Sequence, residues 1–132
     1  MMYFYINGVI TPVVVDDYFP CKNGFPAFAN SKKGCEGEMW VCLLEKAWAK
    51  LHGSYALIEG GNSAHASVHV QGVPSKFHTS SCIKDQDKFW NRLKKCDKRK
   101  FTMIAASRVE DNGLVKNHDY SLIEIHEIIY KG

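Results

Sequence analysis

The chain lacks a long uninterrupted apolar run. Its most apolar opening stretch, Met1 to Val15, is broken by Asn7, Gly8 and Pro12. A bilayer-crossing helix needs about 20 apolar residues in a row, so no membrane association is expected. The same stretch has neither a basic start nor a small-residue cleavage site, which argues against a signal peptide. No CxxC pair occurs among the five cysteines Cys21, Cys35, Cys42, Cys82 and Cys96. An odd number of thiols with no export signal points to reduced cysteines in a cytoplasmic protein. The Gly-rich phosphate loop, the GxSxG elbow and HExxH are all absent, which removes the commonest signatures of nucleotide, serine-hydrolase and zinc-protease chemistry. Charge of one sign is also scarce. The net value is +3, too mild to name an anionic partner.

What is present is globular. Apolar residues make up 45% of the 132 and charged residues 23%, a balance that excludes disordered and collagen-like chains. Such a length suits one domain or two small half-domains. Residues 3–6 and 9–15 read as strands joined by Asn7-Gly8, the strongest short hairpin signal. Pro12 places the second strand on an edge or delays its start. Asp16-Asp17 closes it, in a turn or capping role. Residues 20–37 read as loop, with Pro20, Gly24, Pro26, Gly34 and Gly37 as breakers.

Glu38 to His52 is the clearest helix. Trp40, Leu43, Leu44, Ala47, Trp48 and Leu51 recur at three- and four-residue spacing, and Trp40, Leu44 and Leu51 are expected to be buried. Glu36 and Glu38 suit its start, Lys50 and His52 its end, and Gly53 its C-cap. Asn62 is expected to cap a short helix over 63–70, stopped by Gly72 and Pro74. Asp85 is expected to cap another over Gln86 to Cys96, with Phe89, Leu93 and Cys96 inward. Phe101 to Ser107 reads as a buried strand and Asp111-Asn112-Gly113 as a turn. His118 to Tyr130 reads as one strand, or two joined near His126.

Several residues could carry chemistry. His65 and His69 share a helix face, and His78 and Cys82 repeat that spacing, so zinc is conceivable; packed or solvated histidines are the plainer reading. Asp16 and Asp17 are adjacent and would point apart on a strand, which disfavours paired acid–base work. Lys94, Lys95, Lys98, Arg99 and Lys100 beside Phe89 and Trp90 could grip nucleic acid, but no recognised motif accompanies them, and a solvated helix end accounts for them. No metal ligand and no nucleic-acid partner is therefore assigned. His118, at a strand start after a glycine turn, is a candidate general base.

Three blocks then carry a resemblance. The run Trp40-Val41-Cys42-Leu43-Leu44-Glu45-Lys46-Ala47-Trp48-Ala49-Lys50-Leu51-His52-Gly53-Ser54-Tyr55, followed by Glu59-Gly60-Gly61, is similar to the W-x-x-LLEKAYAKLxGSY helix of the calpain family of cysteine proteases. Val13-Val14-Val15-Asp16-Asp17-Tyr18-Phe19-Pro20 resembles V-V-I-D-D-x-L-P. Gly113-Leu114-Val115-Lys116-Asn117-His118-Asp119-Tyr120-Ser121-Leu122 resembles G-L-V-x-G-H-A-Y-S-V. The blocks follow the family's order over nearly the whole chain.

The resemblance implies an α+β fold, a partial papain-like calpain core. Residues 1–72 correspond to the later part of the first core subdomain, a helix-rich half with a β-hairpin. Residues 73–132 correspond to the first part of the second, an antiparallel-sheet half bearing the histidine. It also implies that His118 is the base of a Cys–His–Asn site. The family's G-D-C-W nucleophile block and N-P-W-G asparagine block are not in the sequence, and its calcium loops are not carried over, so no cofactor is assigned to the chain itself. Asn117 stands for the family glycine and tolerates left-handed backbone. Asp119 stands for alanine and is expected on the face opposite His118. Trp48 for tyrosine keeps a large aromatic. Two readings follow: a portion of a calpain-like endopeptidase that supplies the base and is inactive alone, or an inert calpain-like scaffold module (a pseudoenzyme) within a larger intracellular assembly. Either calls for a protein partner or the remainder of the core, with a peptide substrate if active.

Overall fold

The computed structural model describes residues 1–31 and 37–130. Gly34, Cys35 and Glu36 lie outside the described residues. The fold is mixed α+β, with two compact units, Met1–Lys76 and a second beginning at Phe77. Among the described residues no helix is long and apolar enough to cross a membrane.

The first unit opens on an antiparallel hairpin, β1 (Met2–Ile6) and β2 (Val9–Val13), in register from Met2↔Val13 to Ile6↔Val9. Asn7 and Gly8 both take positive φ, 51° and 79°, the type I′ geometry that matches strand twist. Pro12 sits opposite Tyr3 within β2, tolerated because a two-stranded sheet has only edges. The same dipeptide recurs. Asn23-Gly24 (φ 54° and 81°) joins β3 (Cys21–Lys22) to β4 (Phe25–Pro26). The loop expected over 20–37 therefore contains a small hairpin, whose two-residue arms are too short to show alternation in sequence.

The first helix, α1, spans Trp40–His52 and ends at Gly53 with φ 108°. It starts two residues later than expected, so Glu38 precedes the Met39 cap and no acidic residue occupies the first turn. Alternation along β1 puts Met2, Phe4 and Ile6 on one face, and helical spacing brings Leu44, Ala47, Trp48 and Leu51 against it. Phe4, Val13 and Ala47 form the buried centre. The Phe4 and Trp48 rings meet tilted, 5.5 Å apart. Leu44 and Leu51 are half-buried around that centre. Trp40 is 58% exposed, against expectation. It lies two turns before Ala47, about 10 Å along the axis, beyond the reach of the hairpin. Leu44→Ala is thus expected to cost about 2 kcal/mol, the low end for leucine truncation. A urea melt showing no loss would place Leu44 outside the core.

Polar contacts fasten the neighbouring loops to α1. Lys46 Nζ donates to Asp16 Oδ1 and to the Tyr18 carbonyl, and Lys50 Nζ donates to the Val14 carbonyl at 2.7 Å. Asp16 Oδ1 also accepts from Tyr18 N at 2.9 Å, the turn role expected of it. The Lys46 hydrogen bond, aided by that backbone N–H, holds the Asp16 carboxyl below its usual range. Glu45 accepts from Ala29 N at 2.8 Å, and the buried Cys42 thiol donates to Ala29 O at 3.1 Å. The second helix, α2 (Ser63–Gln71), packs on β1. Asn62 caps it by accepting from Ala64 N, and Gly72 ends it at φ 68°, where the Tyr5 ring occupies the space a Cβ would need.

The second unit holds α3 (Gln86–Lys98), capped by Asp85 accepting from Lys88 N at 2.9 Å. It also holds an antiparallel pair, β5 (Met103–Ser107) and β6 (His118–Leu122), in register from Met103↔Leu122 to Ser107↔His118. Phe89, Leu93 and Cys96 are half-buried. Two expectations are corrected here. The strand expected to be buried is mostly exposed, since nothing described in its own unit covers both of its faces. The strand expected to reach Tyr130 ends at Leu122. Among the described residues this sheet has two strands, so residues 123–130 gain no ladder. They are held at points instead, where Glu127 Oε1 accepts from Trp90 Nε1 at 3.0 Å and from Lys94 Nζ at 2.7 Å. Every fully buried apolar residue among those described (Phe4, Val13, Cys42, Ala47 and Ala49) belongs to the first unit.

Candidate active site

His118 is the first residue of β6, and the chain before it explains how it is delivered there. Asn112-Gly113 forms a third turn with both φ positive, 47° and 84°, closed by Leu114 N donating to Asp111 O at 2.8 Å. Asn117 then takes φ 54°. The left-handed residue needed just before the histidine is met by asparagine, as its side chain allows. The backbone enters β6 with His118 paired to Ser107.

The imidazole is exposed, and among the described residues neither of its nitrogens is hydrogen-bonded. Its neighbour is the Tyr120 ring, edge-on at 88° with centroids 4.9 Å apart. Residues two apart on a strand share a face, which puts these two side by side. The Tyr120 hydroxyl accepts from Val115 N at 2.8 Å, tying the preceding loop to the strand. Asp119 is on the other face and exposed, so its carboxylate keeps its water and no burial cost arises. Tyr120 is part of the same sequence block, but its contact with His118 is visible only in the fold. The i, i+2 spacing of His118 and Tyr120 on one strand is the sequence signal that agrees with it.

The other candidates do not assemble a site. Among the described residues no group of three or more His, Cys, Asp and Glu side chains converges on a metal position. His69 packs with Trp48 (5.5 Å) and His52 (6.1 Å), whereas His65 is exposed. His78 lies edge-on to Phe89 at 5.4 Å, and the Cys82 sulfur accepts from Thr79 Oγ1 at 3.0 Å. In the basic cluster, Lys94 is occupied by Glu127 and lies 6.0 Å from the Trp90 ring centre. Cys21 donates to Phe19 O at 3.4 Å and Cys42 to Ala29 O. None of the described sulfurs is bonded to an imidazole. None of them therefore forms the Cys–imidazole pair of a papain-like site.

Residues 1–132 match the model of the calpain family cysteine proteases. The chain is 35% identical over 137 aligned residues to the calpain-type cysteine protease DEK1 of Arabidopsis thaliana, covering 95% of this chain and 6% of that protein. It is 32% identical to calpain-8 of Mus musculus, covering 98% of this chain and 19% of that protein. To calpain-5 of Caenorhabditis elegans it is 34% identical, over 90% of this chain and 20% of the relative. The chain thus spans a fifth or less of these relatives' lengths.

Proposed function

This chain belongs to the calpain family of cysteine proteases, and on that premise we propose that it is the base-bearing portion of a calpain-like endopeptidase core. Residues 1–72 form the later part of the first core subdomain and residues 73–132 the opening of the second. The observation that carries this reading is the exposed His118 imidazole, with both nitrogens unengaged, at the histidine position of the family's block. A cysteine thiol supplied by the remainder of the core gives its proton to His118. The resulting thiolate attacks a peptide carbonyl, and the imidazolium returns the proton to the departing amine. None of this chain's five cysteines stands in a G-D-C-W context. This reading assigns no metal or cofactor to the chain's own residues. The reading assigns the chain a reducing, cytoplasmic setting, in keeping with an odd number of cysteines and no CxxC pair.

A second reading, an inert calpain-like module, draws support from the 123–130 segment. Ile123, Ile128, Ile129 and Tyr130 are each 87–90% exposed, more bare apolar surface than a finished fold leaves in one stretch. One experiment separates the two. The 132-residue chain alone is expected to cleave no peptide, because nucleophile and oxyanion donors are missing. Combined with the thiol-bearing remainder of the core, it is expected to support covalent labelling by a thiol-directed protease inhibitor, and His118→Ala is expected to abolish peptide turnover. Turnover by the chain alone would refute its reading as a portion inactive by itself, and turnover untouched by His118→Ala would refute the base assignment.

A further inference from the structure

Tyr120 stands in two contacts at once. Its ring lies against the His118 imidazole, 4.9 Å away and perpendicular. Its hydroxyl accepts from Val115 N at 2.8 Å, in the loop that leads into His118. Ala105 is its cross-strand partner and Ser107 that of His118. Both are small, so β5 puts no bulky side chain beside either ring. An exposed imidazole with no hydrogen bond turns freely about its side-chain torsions. Here the phenol ring fills one side of that space and removes rotamers, in the edge-to-face arrangement that aromatic pairs prefer.

We propose that Tyr120 is a positioning residue for His118. Its ring sets the imidazole's orientation, while its hydroxyl fixes the 111–117 loop from which the histidine enters the strand. This rests on the reading of His118 as general base. The arrangement matters because proton transfer demands hydrogen-bond reach between base and thiol, and a small misplacement of an aligned group can lower a rate by about a hundredfold. The phenol does not touch the reacting atoms in this role. Asp119 and Ser121, on the opposite face, cannot substitute for it.

The test uses the 132-residue chain with isotope-labelled histidine and valine, compared as Tyr120, Tyr120→Phe and Tyr120→Leu. His118 ring protons should carry the ring-current shift of the neighbouring aromatic. That shift should persist in Tyr120→Phe and be lost in Tyr120→Leu, while Ser107–His118 cross-strand contacts remain. Both Tyr120→Phe and Tyr120→Leu should lose the hydrogen-bonded amide shift of Val115, because both lack the accepting hydroxyl. An unchanged His118 spectrum in Tyr120→Leu, or an unchanged Val115 amide in Tyr120→Phe, overturns the proposal. Should Tyr120→Leu lose the strand pairing, the phenylalanine arm still decides it. With the thiol-bearing remainder added, Tyr120→Leu should lower kcat roughly ten- to a hundredfold with little change in KM, and Tyr120→Phe less. If His118→Ala leaves turnover intact while the spectroscopic effects appear as stated, the base assignment has failed and the ring contact has not.

Discussion

Phe4→Ala is expected to destabilise the first unit by about 3–5 kcal/mol, the range for truncating a buried aromatic. Phe4 is fully buried. It contacts the Trp48 ring and sits where β1, β2 and α1 meet. Removing the ring loses its transfer free energy and opens a space that the short hairpin cannot close. A fall of this size is a large share of the about 5–15 kcal/mol typical of a whole domain, so the variant should melt at much lower urea, followed by circular dichroism. A loss under about 1 kcal/mol would mean that Phe4 is not the centre of the packing.

Gly72→Ala has the second largest expected effect, with two separable causes. Gly72 takes φ 68°, a left-handed conformation costing an L-residue about 1–2 kcal/mol. An added Cβ would also lie 2.6 Å from Tyr5 Cδ1 and 2.7 Å from Tyr5 Cε1. Forcing that ring aside should cost about 1–3 kcal/mol more. Combining it with Tyr5→Ala divides the two, since the small residue at position 5 relieves the clash and leaves the backbone strain. A double-mutant cycle with no coupling between positions 5 and 72 would overturn the account.

Much of the local structure could be read from residue order. Asn7-Gly8, Asn62, Gly53, Gly72 and Asp85 each mark their boundary by chemistry confined to a few residues, and the structure places a turn or cap at each. The helix over Trp40–His52 was legible from its spacing. What spacing could not supply is which elements meet. Trp40 follows the apolar periodicity, yet the hairpin is too short to cover it. Phe101 to Ser107 has the composition of an inner strand, yet its neighbours in the second unit leave it exposed. The stretch after Leu122 is rich in isoleucine, but a strand is defined by a partner, and propensity does not provide one. At the site, a motif identified His118, and the fold added its surroundings: the left-handed Asn117, the Ser107 pairing and the Tyr120 ring. The same block contains Tyr120, but only the fold shows that its ring meets the His118 imidazole.

Among the described residues the buried apolar side chains all belong to the unit built on Phe4, while the ladder carrying His118 rests on half-covered ones. Paired backbone groups on two strands with little burial open locally at far lower free energy than a core strand does. Deuterium should therefore enter the amides of β5 and β6 through small local openings, long before it reaches Phe4. The imidazole is thus carried on a ladder softer than the hairpin that holds Phe4.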